Sequence, residues 1–116
     1  CEAFATTINS TLTFLFISLF GRGNLGQGAQ KYETTDAKRL LIIDPRSFDK
    51  MWCHKVLTEF GAIASSNISS EINSRSRGSL DEVVFEQLAL TQGERDAVYE
   101  AVINLVEARL KKAESV

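Results

Sequence analysis

The apolar run Leu12 to Phe20 (LTFLFISLF) leads directly into four glycines, Gly21, Gly23, Gly26 and Gly28. This junction limits the fold more than any other stretch. Leu12, Leu15, Phe16 and Leu19 recur at helical spacing, and Phe14 and Phe20 widen the stripe, so the run reads as a helix buried on most sides. Asn9, Ser10 and Thr11 prefer helix caps to interiors and separate it from a weaker helical pattern over Cys1 to Ile8. Gly21 stops the helix, as glycine does in the left-handed cap position. A membrane span needs about 20 mostly apolar residues, and the Thr/Asn/Ser cluster upstream makes this run too short. A core helix followed by a mobile-backbone loop is the expectation.

The letters Gly21-Arg22-Gly23-Asn24-Leu25-Gly26 match the dinucleotide fingerprint G-x-G-x-x-G. That motif carries meaning when it follows a strand and opens a helix. Here it follows a helix pattern, and no acid lies about 20 residues on to hold a ribose; Glu33 comes early and Asp44 begins a turn. Arg22, Asn24 and Gln27 are instead hydrogen-bond donors of the kind that read base edges or grip phosphates. The same residues also suit a loop whose polar side chains face water.

Beyond the loop, Gln30 to Glu33 reads as extended. Thr34 or Thr35 is placed to cap one helical turn through Asp36 to Arg39. Leu40 to Ile43 reads as a short β-branched strand closed by Asp44-Pro45, which holds the only proline. Asp49 to Phe60 returns to helical period, with Met51, Val56 and Phe60 on one side and Trp52 and Cys53 beside them. Positions 61–79 hold seven serines and two asparagines and read as a loop with one helical turn near 70–73. Leu80 to Leu90 is amphipathic, with Leu80, Val83, Val84 and Leu88 inward and Asp81, Glu82 and Glu86 outward. Thr91-Gln92-Gly93-Glu94 has the pattern of a capping box, and Val98, Val102, Leu105, Val106 and Leu110 follow at helical spacing to about Ala113. The fold class expected is α+β, predominantly α-helical, with short strands after a glycine-rich loop and a closing C-terminal helix pair.

At 116 residues, 44% hydrophobic and 24% charged, the chain fits one globular domain. It divides into a recognition-like section (1–60), the serine-rich loop (61–79) and the closing helices (80–113). Cys1 opens it in mid-helix pattern, which reads as a piece of a longer chain. The net charge of −2 excludes a bulk basic signature for nucleic acid. Its distribution is uneven, however. Positions 22–77 carry nine Lys/Arg against six Asp/Glu, whereas 78–116 carry four against eight. Lys31, Lys38, Arg39, Arg75 and Arg77 are the phosphate candidates of the basic section; the acidic final helix is unsuited to lying along DNA.

Two cysteines are too few for a disulfide framework, and no secretory leader is recognised, so a cytoplasmic home is expected. His54 is the only histidine and has no neighbours at metal-ligand spacing, so no metal is expected. Cys53 and His54 are adjacent on a helix and point about 100° apart, which rules them out as a nucleophile–base pair.

The series NSTLTFLFISLFGRGNLGQGAQKYETTDAKRLLIIDP resembles the target-recognition end of N6-adenine DNA methyltransferases of type I and type IIG restriction–modification systems. Members show an Asn-Ser start, an aromatic-rich helix, a glycine-rich turn and an extended basic segment. A strand like K-R-L-P-I-P-x-P follows, which reads Lys38 to Pro45 here, with Leu41 and Ile43 where prolines are frequent. Leu80 to Phe85, Leu90-Thr91 and the final helix look like the closing helices of such proteins. The resemblance covers about 3–45 and 80–112 and is carried by the order of elements. It implies a parent enzyme that takes its methyl group from S-adenosylmethionine and methylates an adenine held at an Asn/Asp-Pro-Pro-aromatic motif. One proline cannot make that motif, so the segment has no catalytic residues and no cofactor of its own. It implies instead recognition and clamping of double-stranded DNA beside the catalytic domain of the same chain, through Arg22, Asn24, Gln27, Lys31, Lys38 and Arg39. The alternatives are a helical protein–protein module docking a partner subunit through its acidic final helices, and a nucleotide-binding piece built on GRGNLG.

Overall fold

The computed structural model describes residues 2–21, 31, 33–63 and 75–115. Among these described residues there are six α-helices: α1 (Glu2–Thr7), α2 (Thr11–Phe20), α3 (Thr34–Ala37), α4 (Lys50–Gly61), α5 (Arg75–Gln87) and α6 (Gln92–Glu114). A 3-10 turn at Pro45–Ser47 lies between α3 and α4. They fall into two compact units, each assembled from two stretches of sequence.

The first unit takes in 1–10 and 42–91 and packs α4 against both α1 and α5. Its buried apolar residues are Ala3, Trp52, Val56, Leu80, Val83, Val84 and Phe85. Asp49 caps α4, its carboxylate accepting the Trp52 backbone N–H at 2.7 Å. Trp52 then ties two helices together. Its indole N–H donates to the Val83 carbonyl at 3.1 Å, and its ring lies 4.3 Å, centroid to centroid, from that of Phe48. In α1 the hydroxyls of Thr6 and Thr7 donate to the Glu2 and Phe4 carbonyls, which lets these side chains be buried without orphaned hydroxyl protons. At the far end of α5, Ala89 sits at φ 53°. The Leu90 N–H reaches the Phe85 carbonyl at 3.1 Å and the Ala89 N–H reaches Glu86 at 3.0 Å, which makes a Schellman cap with alanine in the place usually held by glycine.

The second unit takes in 11–41 and 92–116 and packs α6 along α2, with α3 as a single turn. The Glu33 N–H donates to an Asp36 carboxylate oxygen at 3.0 Å, closing the start of α3. Glu33, not Thr34 or Thr35, is therefore the cap residue.

Three expectations need correction. The α+β class fails because no strand occurs among the described residues. Leu40 to Ile43 has no regular structure, and Leu41 and Ile42 are 59% and 53% exposed. Four apolar residues without a neighbouring strand leave the backbone N–H and C=O groups without ladder partners. The inward face of α4 runs through Trp52 and Val56, while Met51 is 80% exposed. In α5, Asp81 is fully buried and engaged rather than outward, and Leu88, just past the end of the helix, is exposed. Two further differences are of extent. The α5 helix begins at Arg75, inside the stretch read as loop. The α2 helix, expected to be buried on most sides, buries Thr11, Leu12, Thr13, Leu15 and Ser18 and leaves Phe14, Leu19 and Phe20 outward.

Candidate functional site

Arg22, Asn24 and Gln27, with the rest of the glycine loop beyond Gly21, lie outside the described residues. The described candidates fall in both units. Lys31, Lys38 and Arg39 belong to the second. Lys38 is the C-terminal cap residue of α3, and Arg39 donates its backbone N–H to the Asp36 carbonyl at 3.0 Å. Both side chains are exposed. Two adjacent cations at the C-terminal end of a helical turn sit where its carbonyl dipoles favour positive charge. They lead into the exposed, irregular Leu41–Ile42 segment, so the pair is displayed at the surface instead of being packed under a sheet edge. Lys31 forms an ion pair with Glu33 at 2.6 Å, its side chain 58% exposed. Such a surface pair is weak and exchanges readily for another anion.

Arg75 and Arg77 belong to the first unit, at the start of α5. Arg75 is exposed and its carbonyl accepts the Ser79 hydroxyl at 3.1 Å. Arg77 is half-buried and donates a guanidinium N–H to the Asn9 carbonyl at 2.8 Å. That contact ties the end of α1 to α5, so Arg77 has a structural task inside its unit.

One cation escaped the sequence reading. Arg46 donates through Nε and Nη2 to both carboxylate oxygens of Asp44, at 2.7 to 3.0 Å, while its backbone N–H donates to the same carboxylate at 2.9 Å. The guanidinium holds the Asp44 carboxyl below its ordinary range, with help from the backbone N–H, and the carboxylate raises Arg46. The Arg46 side chain is 90% exposed, yet fixed in direction by the fork. Gln87 anchors the turn from α5, donating to the Ser47 carbonyl and hydroxyl at 3.1 and 3.2 Å. The signal was legible as Asp44-x-Arg46 around a proline turn, a spacing that suits a local carboxylate–guanidinium fork.

The acids that follow the glycine loop bear on nucleotide binding. Glu33 pairs with Lys31 and Asp44 with Arg46. Among the described residues no cluster of three His, Cys, Asp or Glu side chains could hold a metal ion. No described helix is long and apolar enough to cross a membrane. Comparison with protein-family models, with curated proteins and with solved structures finds no match.

Proposed function

We propose that the chain is the DNA target-recognition and clamping part of a site-specific DNA adenine-N6 methyltransferase of the restriction–modification type. The observation that carries the reading is the display of Lys38 and Arg39, side by side and exposed, at the end of α3 and directly after the glycine-rich and basic segment. Lys31 adds a third exposed cation from the same unit. Cations of this kind bind a duplex by replacing its condensed counterions, which supplies affinity and register without reading sequence. Arg22, Asn24 and Gln27 then supply the hydrogen-bond donors for base edges.

Chemistry belongs elsewhere in the parent. A sequence with a single proline lacks the Pro-Pro motif, so methyl transfer and S-adenosylmethionine binding are assigned to a catalytic domain of the same parent chain. The partner of this segment is double-stranded DNA. Fluorescence anisotropy with a labelled duplex tests the assignment: the chain binds at about 50 mM salt and weakens steeply by about 200 mM. A duplex that remains free at the lower salt refutes it. A thermal shift produced by a nucleotide in place of DNA supports the cofactor-loop alternative.

A further inference from the structure

The sequence carries 13 lysines and arginines, yet it joins a lysine to an arginine only once, at Lys38-Arg39. That pair stands on lightly held backbone. Thr34–Ala37 is a single helical turn, with Lys38 as its C-terminal cap. Beyond it, Leu40 to Ile43 has no regular structure, and no backbone N–H of Leu41, Ile42 or Ile43 is bonded among the described residues. Lys38, Arg39, Leu41 and Ile42 are exposed. The other described cations are placed differently. Most lie within α4, α5 and α6, where the helix ladder engages the backbone. Arg46 lies in the 3-10 turn, closed by its fork with Asp44 and by Gln87 on Ser47. Lys31 is paired with Glu33 and has no basic neighbour in sequence.

We propose that the Arg39–Leu40 peptide bond is a processing site for an endoprotease specific for paired basic residues, and that the cut chain stays assembled. Such an enzyme binds its substrate as an extended strand, through backbone groups on both sides of the bond to be cut. Leu41 to Ile43 present their N–H groups without breaking any bond. On the other side, the Lys38, Arg39 and Leu40 N–H bonds to Thr34, Asp36 and Ala37, at 3.0 to 3.3 Å, have to open. A lone turn has no long helix behind it, so it opens locally. In the step, water adds to the Arg39 carbonyl carbon and the C–N bond to Leu40 breaks. The hydroxyl remains on Arg39 as a carboxylic acid, and the proton goes to the Leu40 amine. The products are residues 1–39, with α1 to α3, and 40–116, with α4 to α6. Each compact unit draws on both. Packing of α1 on α4 in the first unit and of α2 on α6 in the second therefore joins the two fragments after the cut. The inference needs no DNA and stands apart from the recognition assignment.

Digestion of the full chain by a serine endoprotease that cuts after Lys-Arg pairs tests it, with a synthetic peptide of residues 33–46 as the accessible standard. Under conditions that consume the peptide, intact-mass analysis of the folded chain should give 1–39 and 40–116, and gel filtration should elute the two together. Arg39→Gln and Lys38→Gln should each leave the chain whole, while circular dichroism shows that both variants fold. Leu15→Ala separates local from global opening, because Leu15 is buried in α2 of the same unit. A cut through the local turn proceeds at the wild-type rate within about twofold, whereas one that waits for the unit to unfold accelerates by about tenfold or more. The inference is overturned by a wild-type chain that stays whole while the peptide is consumed, by a cut that Leu15→Ala accelerates in that way, or by fragments that elute apart.

Discussion

Ala89 is the one described non-glycine residue with positive φ, and replacing it by glycine is expected to stabilise the first unit. An L-residue in the left-handed region costs about 1–2 kcal/mol, because its Cβ crowds the following carbonyl. Glycine removes that cost, and its freer unfolded chain returns about 0.4–1 kcal/mol of the gain. The Ala89 side chain is exposed, so no core contact is lost, and the Leu90 and Ala89 N–H bonds to Phe85 and Glu86 remain. The net expectation for Ala89→Gly is about 0.5–1 kcal/mol in favour of the folded state. In a unit of this size that is a rise in Tm of about 3–6 °C. Trp52 is the only tryptophan and lies in the same unit, so its emission follows unfolding there without interference. Leu88→Gly is the control. It places glycine where φ is not positive, and should cost up to about 1 kcal/mol. If Ala89→Gly lowers Tm, or if both glycines act alike, the Schellman cap is not what ends α5.

Other perturbations probe the same unit. Trp52→Phe keeps an aromatic beside Phe48 but removes the indole N–H from Val83, and should cost about 1–2 kcal/mol in urea unfolding; an unchanged midpoint would deny the bond a role. Leu80→Ala, at a fully buried site, should cost about 2–5 kcal/mol, whereas Met51→Ala, at an exposed one, should stay within about 0.5 kcal/mol. Equal effects would mean that α4 and α5 bury other faces. The Asp44 carboxyl titrates below its ordinary range, so its pairing with Arg46 is complete above the unfolded pKa of 3.8 and is lost as pH falls through the lower folded value. Carboxyl-carbon NMR should show the shift, and Arg46→Ala should return Asp44 towards 3.8; a curve unmoved by that change contradicts the fork.

Helix positions were legible where local chemistry decides them. Asp49 before an apolar period announced α4, because a capping side chain acts on backbone within one turn, and α6 begins at Gln92 where the apolar period resumes. What tertiary packing decides was read less well. Met51 and Trp52 are both apolar and adjacent, and periodicity alone cannot say that Trp52 finds the Val83 carbonyl while Met51 meets water. Asp81 was placed outward because carboxylates usually are; its burial depends on partners that spacing does not reveal. Leu40 to Ile43 has strand composition, but a strand exists only with a neighbour, and none of the described residues supplies one. For the candidate site, the exposed positions of Lys38 and Arg39 agree with reading them as surface cations, while the contact of Arg77 with Asn9 depends on residues far apart in sequence.

The salt dependence of duplex binding addresses the recognition assignment most directly. Log Kobs for the wild-type chain should fall linearly with log salt, and Lys38→Ala combined with Arg39→Ala should weaken binding and flatten that slope by about two. A slope identical in wild type and double variant would remove Lys38 and Arg39 from the interface, and the absence of any salt-dependent binding would contradict DNA recognition by this chain.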